Sequence, residues 1–318
     1  SDITAYYGVK PYTTLLANRN VTSNYCEIGN VCGRINIWFL IFVRIKFIHV
    51  GYPQYAFSFI ITKKLTYLHV GVENVRQWLT TADNIKGTIV IVHSALDYHG
   101  RYELLIKFFN RSGFHVIMGD LPGQGLSTRR KGHIESFEEY INEVDKWVKQ
   151  AYLLEPPVFV YGHSIGGLAV IRTLQKRQDL LIQGVILSSP SLELSKKPSK
   201  GIELFAKGLD KIKPSLLIST GLSIEDVTRN EEMYLVGRED AKYSAKISVH
   251  WYREVTNAMK LAFNEQDYFP YELPLLVLQA GDDHVVEKES TIQWFDRLAS
   301  INKSYREFNG LYHELFNE

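Results

Sequence analysis

Apolar positions follow three different patterns along this chain, and each predicts a different kind of structure. From residue 87 to 190, short unbroken apolar runs alternate with segments of helical spacing. Residues 88–92 (Thr-Ile-Val-Ile-Val) are the clearest such run, and 114–118, 158–161 and 184–190 read as further strands. A run with no polar alternation is what a parallel strand buried on both faces requires. Between them, residues 101–111 carry Leu104, Leu105, Phe108 and Phe109 at helical spacing. Phe137, Ile141, Val144, Val148 and Ala151 form a second stripe behind Ser136-x-x-Glu139, which reads as a capping box. Pro156 and Pro157 stop that helix, and a third is predicted over 165–177. Strand and helix in strict alternation predict a mostly parallel α/β sheet with helices on both faces.

The alternation breaks after residue 190. Residues 191–265 are richer in Lys, Ser and Glu and show only helix-like apolar spacing, through Ile202, Leu204, Phe205, Leu209 and Leu216–Ile218. An inserted helical cap is expected there. The sheet resumes at 274–281, followed by a helix over 287–300 and a strand over 305–308. The core is therefore expected in two pieces, 66–190 and 266–318. Residues 1–65 form a leading segment whose aromatic and β-branched runs, 35–47 and 57–61, resemble strands, as does 66–70. The run at 35–47 also suits a partner-binding or lipid-facing surface.

Charge and cysteine usage narrow the function classes. Lys and Arg number 36 against 35 acids, a net charge of +1, so no nucleic-acid surface is expected. Cys26 and Cys32 read as free thiols rather than as a disulfide framework, and no Cys/His metal spacing occurs. The start of the chain lacks the layout of a signal peptide, and the longest apolar run, 37–43, is far short of the ~20 residues that span a bilayer. A cytoplasmic protein that meets membranes peripherally is expected.

The chemistry centres on Gly162-His163-Ser164-Ile165-Gly166-Gly167, where a buried-type strand runs straight into a helix. A G-x-S-x-G string recurs by chance, so this context carries the reading. It is the spelling of a nucleophile elbow, whose strained turn presents the serine at a helix N-terminus. A serine hydroxyl needs a base beside it, and in this arrangement an acid and then a histidine follow along the chain. Asp282 and Asp283 follow the strand at 275–278, and His313 follows the strand at 305–308. Asp282 suits a turn-shaping role, so Asp283 is the favoured acid. His163 points to the opposite face from Ser164, and His284 is expected to be exposed. The two oxyanion donors are expected to be the N–H groups of Ile165 and, after the strand at 88–92, Ala95.

Together these residues resemble the monoacylglycerol lipase and lysophospholipase branch of the α/β hydrolases, the serine aminopeptidase S33 type. That family's H-G-x-G-E-H-x-x-R-Y is answered by 93–102, with Ser94 where the family has glycine. Its D-x-x-G-x-G-x-S is matched by Asp120, Gly123, Gly125 and Ser127, its G-H-S-x-G-G by 162–167, its acid loop by 279–286, and its Y-H-x-L-x-x-E by 312–318. These motifs cover about residues 85–318. The resemblance implies an α/β-hydrolase fold, a Ser164–His313–Asp283 triad, and hydrolysis of single-chain lipid esters under a helical cap, with no metal or organic cofactor. It also places Asp97 and Arg101 near the oxyanion loop and the head-group pocket; with His163 they are the substrate-binding candidates, and transient contact of the cap with membranes is expected. A last helix beyond the position of Glu318 is part of the family pattern, whereas residues 1–65 have no counterpart in it. Two other readings stay open. One is a peptidase or amidase that would use Glu225, Asp226, Glu231 and Glu232 to hold an α-amine. The other is a non-catalytic binder or scaffold on the same fold.

Overall fold

The structure is a computed structural model, which describes residues 75–318 except 197–198, 234 and 236–245. The expectations for residues 1–70, including the aromatic run, the early strands and the two cysteines, lie outside the described residues.

A seven-stranded sheet runs in the order β1-β3-β2-β4-β5-β8-β9. Its members are β1 (Val75–Trp78), β2 (Gly87–Val92), β3 (Phe114–Gly119), β4 (Val158–His163), β5 (Gly184–Ser188), β8 (Leu275–Ala280) and β9 (Lys303–Phe308). Every pairing is parallel except β1 on β3. The four central strands β2, β4, β5 and β8 are buried along their whole length, which is why their sequences show no alternation. β9 lies at the sheet's edge and alternates instead, with Lys303, Tyr305 and Glu307 facing one way and Ser304, Arg306 and Phe308 the other. β1 reads Val-Arg-Gln-Trp and is half exposed, so no apolar run marks it in the sequence.

The crossovers are helical. α1 (Glu103–Arg111) links β2 to β3, α2 (Glu138–Ala151) links β3 to β4, and α3 (Ile165–Lys176) follows β4. In α1 the buried residues are Leu105, Ile106 and Phe109, while Leu104 is exposed. The stripe expected on α2 is buried throughout, together with Tyr140 and Trp147. The capping interactions fall one place earlier than expected. The Ser136 hydroxyl accepts from Glu138 N–H at 3.2 Å, and the Glu139 carboxylate reaches Glu135 N–H at 2.7 Å. α3 is buried on nearly every side, because α2 and a later helix enclose it. Each fully buried Ile, Leu or Val here contributes about 1.5–3 kcal/mol relative to exposure.

Between β5 and β8 the chain makes α4 (Lys200–Ile212), the short antiparallel pair β6 (Leu217–Ser219) and β7 (Lys246–Ser248), and α5 (Val249–Asn264). This segment was expected to be helical alone, but strands of three residues are too short to leave a period in the sequence. Trp251, Val255, Ala258, Met259 and Ala262 of α5 join the main core cluster, so α5 is the enclosing helix over α3. α4 is largely exposed, with Ile202, Leu204, Phe205 and Ile212 open to solvent. α6 (Lys288–Arg297) lies between β8 and β9. The segment 227–230 clasps the end of the chain: Glu314 N–H donates to Val227 O, and the Glu318 carboxylate accepts from Thr228 and Arg229. Among the described residues no helix is long and apolar enough to cross a membrane.

The strand order places the reversal of direction between β2 and β4, with β3 to one side and β4 to the other. In open parallel sheets that switch point, at the strands' C-terminal ends, leaves a crevice for a ligand. Residues 93–96 and Ser164 both sit there.

Candidate active site

Ser164 lies at the tip of β4, where the strand turns into α3. Its backbone has φ 53° and ψ −119°, in the region that side chains rarely adopt. The flanking glycines make the turn sterically feasible. A Cβ at Gly162 would lie 2.8 Å from the Gly167 Cα, and one at Gly166 would collide with the carbonyl oxygens of Val92 and His93. The second contact means that α3 begins hard against the backbone leaving β2.

Ser164 Oγ lies 2.8 Å from His313 Nε2, across 149 positions of chain. His313 Nδ1 lies 2.8 Å from Asp283 Oδ2 and 3.0 Å from Oδ1. All three side chains are buried. The Asp283 carboxylate also accepts from the N–H groups of Val285 and Val286, both at 2.9 Å. Burial pushes its carboxyl up, but the adjacent His313 and those two amides outweigh burial and hold it below the usual range. An ionised carboxylate therefore fixes the Nδ1–H tautomer and leaves Nε2 as an acceptor for the serine proton. Asp282 and His284 are exposed, as expected of turn residues.

The loop after β2 is fixed by three side chains, His93, Tyr102 and Gln124. His93 is fully buried. Its Nε2 accepts from Leu121 N–H at 2.8 Å, so its Nδ1–H donates to Ser94 O at 2.6 Å. In a trans peptide this turns the Ala95 N–H away from the His93 ring. Ser94 N–H donates to the Tyr102 hydroxyl at 3.2 Å, and Leu96 N–H donates to Gln124 Oε1 at 2.7 Å. Leu96 itself has φ 59°. Gln124 in turn donates to the Tyr140 hydroxyl, which also accepts from Trp251 Nε1 on α5. Neither the Ala95 nor the Ile165 N–H donates to an acceptor among the described residues. Asp120 supports the next loop: it accepts from the His99 ring and from the N–H groups of His99 and Leu126. Burial raises its carboxyl, yet His99 and those amides prevail and bring it to about 2.

The three residues taken as substrate-binding candidates are packed inside the protein. Asp97, Arg101 and His163 are 2%, 7% and 0% exposed, buried like Ser164 and His313, and each is bonded within the protein. Arg101 donates to Glu314 at 2.8 Å and approaches Asp97 at 3.7 Å, while Asn317 also donates to Glu314. Burial, only partly offset by Arg101, raises both carboxyls. His163 Nδ1–H donates to Ser188 O at 3.0 Å, and its ring lies 4.8 Å from that of His313. Burial, then the charge of His313, push the imidazole well below its ordinary value, so it stays neutral. A charged pair in a motif looks the same in sequence whether it faces ligand or core, which is why burial was not foreseen.

Ser191, which no motif announces, lies beside Ser164. It is 1% exposed, with its hydroxyl 3.1 Å from Ser164 Oγ and its N–H bonded to Ser164 O at 3.0 Å. A cavity of about 280 Å³ is lined by Glu225, Thr228, Arg229, Glu231 and Tyr312, so two of the acids considered for amine binding share it with an arginine. Among the described residues no group of three His, Cys, Asp or Glu side chains is arranged to hold a metal ion.

A buried hydroxyl, imidazole and carboxylate in hydrogen-bonded series at the C-terminal edge of such a sheet define the α/β-hydrolase class, and solved structures agree. The monoacylglycerol lipase of Paleococcus ferrophilus superposes with a TM-score of 0.68 at 34% identity, over 76% of this chain and 90% of that one. A soluble variant of the Saccharomyces cerevisiae monoglyceride lipase, in complex with a substrate analogue, shares the fold with a TM-score of 0.67 at 20% identity, over 76% and 87% of the two chains. The chain belongs to the serine aminopeptidase S33 family, whose profile matches residues 83–318. The phospholipase YtpA of Bacillus subtilis is 49% identical over 241 residues, 76% of this chain and 93% of that protein. The chain is thus an α/β hydrolase of the lipase and esterase type, in agreement with the resemblance carried by its motifs.

Proposed function

We propose that the protein hydrolyses carboxylic esters of single-chain lipids, monoacylglycerols or lysophospholipids, through an acyl-enzyme on Ser164. The observation that carries this reading is the unbroken series Ser164–His313–Asp283, with 2.8 Å at each link. In it, Ser164 Oγ attacks the ester carbonyl carbon as its proton passes to His313 Nε2. Asp283 holds the Nδ1–H and stabilises the imidazolium. The carbonyl oxygen gains charge facing the N–H groups of Ala95 and Ile165, at the N-terminus of α3. His313 then protonates the departing alcohol, and water repeats the sequence to release the fatty acid. The names of the relatives, phospholipase and monoacylglycerol lipase, support the substrate class.

The excursion between β5 and β8, residues 191–265, is read as the cap, rooted by α5 in the core. α4 supports contact of that cap with membrane surfaces. It exposes Ile202, Phe205 and Ile212 on one side, while Lys200, Lys207 and Lys211 share another with the exposed Leu204, a basic and apolar surface suited to an anionic interface.

The test is labelling of the whole chain by a fluorophosphonate, alongside turnover of a panel of monoacylglycerols, lysophospholipids and aminoacyl amides. Labelling lost in Ser164→Ala, with lipid esters the fastest substrates, is the expected result. Folded protein that is never labelled would point to a binder, and aminoacyl amides turned over faster than esters would point to a peptidase.

A further inference from the structure

The Ser191 hydroxyl lies 3.1 Å from Ser164 Oγ, and its surroundings hold it there. Two positions before Ser191, Ser189 has φ 40°, and its N–H donates to Leu278 O while its hydroxyl accepts from Ala280 N–H, both on β8. The Ser191 N–H is tied to Ser164 O. The backbone that carries its hydroxyl, 3.1 Å from Ser164 Oγ, is therefore tied to β8 on one side of β5 and to the end of β4 on the other.

The direction of the Ser191–Ser164 bond follows from counting protons. Ser164 has one hydroxyl proton. His313 Nδ1–H is committed to Asp283, so Nε2 is an acceptor and takes the Ser164 proton as its partner. Only lone pairs remain on Ser164 Oγ for Ser191, which makes Ser191 the donor. Acylation does not reverse this, because the ester Oγ carries no proton at all.

We infer that Ser191 is a catalytic residue of deacylation, donating a hydrogen bond to Ser164 Oγ as that oxygen becomes the leaving group. The inference rests on the proposed role of Ser164 as nucleophile. In the acyl-enzyme, Oγ is an ester oxygen whose lone pair is delocalised into the carbonyl, and it accepts weakly. When water adds to the carbonyl carbon and gives a proton to His313, that delocalisation ends. The C–Oγ bond then breaks, its electron pair goes to Oγ, and the imidazolium returns the proton to Oγ. The Ser191 proton stays on Ser191 throughout. Its hydrogen bond thus strengthens from the acyl-enzyme to the transition state, which is the condition for accelerating a step. In acylation the same bond is already present to the resting hydroxyl, so it gains less. Ser191 is placed to favour the second half of the reaction over the first.

Decarbamoylation isolates that half. The full-length protein is carbamoylated with p-nitrophenyl dimethylcarbamate, the burst of nitrophenol counts the folded, competent molecules, and recovery of activity after dilution gives the rate of Oγ release. For Ser191→Ala we expect recovery slowed about ten-fold, the loss of one hydrogen bond to a charge-bearing oxygen, with the carbamoylation rate within about two-fold of wild type. Ser191→Thr, which keeps the hydroxyl, restores part of the loss. Equal recovery rates in Ser191→Ala and wild type overturn the inference. So does an equal fall in both half-reactions, which would make Ser191 a positioning residue for Ser164. Absence of carbamoylation in the wild type is a different failure and removes the nucleophile reading itself.

Discussion

Arg101 donates to Glu314 at 2.8 Å, joining the loop that follows β2 to the loop that carries His313, 213 positions further along the chain. Both side chains are buried, and Asp97 adds a second carboxylate. One cation thus serves two acids beneath the proposed catalytic residues. Removing the cation leaves both acids buried beside each other, which is costlier than never burying the cluster.

Arg101→Met is therefore expected to lower unfolding stability by roughly 3–5 kcal/mol, read as a shift of the urea midpoint at unchanged slope. Arg101→Lys should recover little of it, since one ammonium cannot reproduce a fork that reaches two carboxylates. A variant with a wild-type midpoint would mean that the cluster contributes nothing net.

Gln124 sets the conformation of the loop that carries Ala95. Its Oε1 accepts from Leu96 N–H at 2.7 Å, and its amide is held by Tyr140 and, through it, by Trp251. In Gln124→Ala the Leu96 N–H is stranded in a buried site while Leu96 still has to hold φ 59°. We expect kcat to fall about ten-fold with KM near wild type, the signature of an interaction used in the transition state. A change confined to KM would assign Gln124 to substrate binding instead.

Asp120 makes stability depend on acid. Its carboxyl lies at about 2 in the folded protein against an ordinary 3.8. A depressed carboxyl stabilises the fold above its unfolded value and loses that contribution as pH falls towards its folded one. The window is thus pH 4 down to 2, and about 2 kcal/mol is lost across it. Urea midpoints recorded from pH 7 to pH 2 should fall less steeply through that window for Asp120→Asn than for wild type. Parallel curves would show that Asp120 is not the group responsible.

Two glycines in helices should respond in opposite directions to the same substitution. Gly166→Ala forces a methyl into the carbonyls of Val92 and His93, and is expected to abolish fluorophosphonate labelling or folding. Nothing lies within 4 Å of a Cβ at Gly208 on α4, so Gly208→Ala should stabilise, by up to about 1 kcal/mol through helix propensity. Thermal melts of the two variants check both claims.

The central strands and the elbow could be read from sequence because each leaves a local signature. Burial on both faces makes a strand uniformly apolar, and a strained strand-to-helix turn demands small residues at fixed offsets around the serine. His313 and Asp283 stand out by their place after predicted strands, and the structure brings both into hydrogen-bonded series with Ser164. What escaped has no such signature. β1 is half exposed and carries Arg76 and Gln77, so its pattern is that of a loop. α5 was read with the inserted segment, because its apolar stripe says that it packs but not against what. Ser191 differs from its neighbours Ser188, Ser189 and Ser195 only in where the chain goes next. Arg101 and Glu314 depend on a meeting of two loops that no short-range pattern records.

The backbone of Ser164 lets the protein's priorities be seen. A φ of 53° with ψ −119° suits glycine better than any residue with a Cβ. Exchanging that serine for glycine should yield a chain that melts at a higher temperature and turns over nothing. Selection for durability alone would have discarded the hydroxyl, so its presence at this spot records a preference for reactivity over robustness.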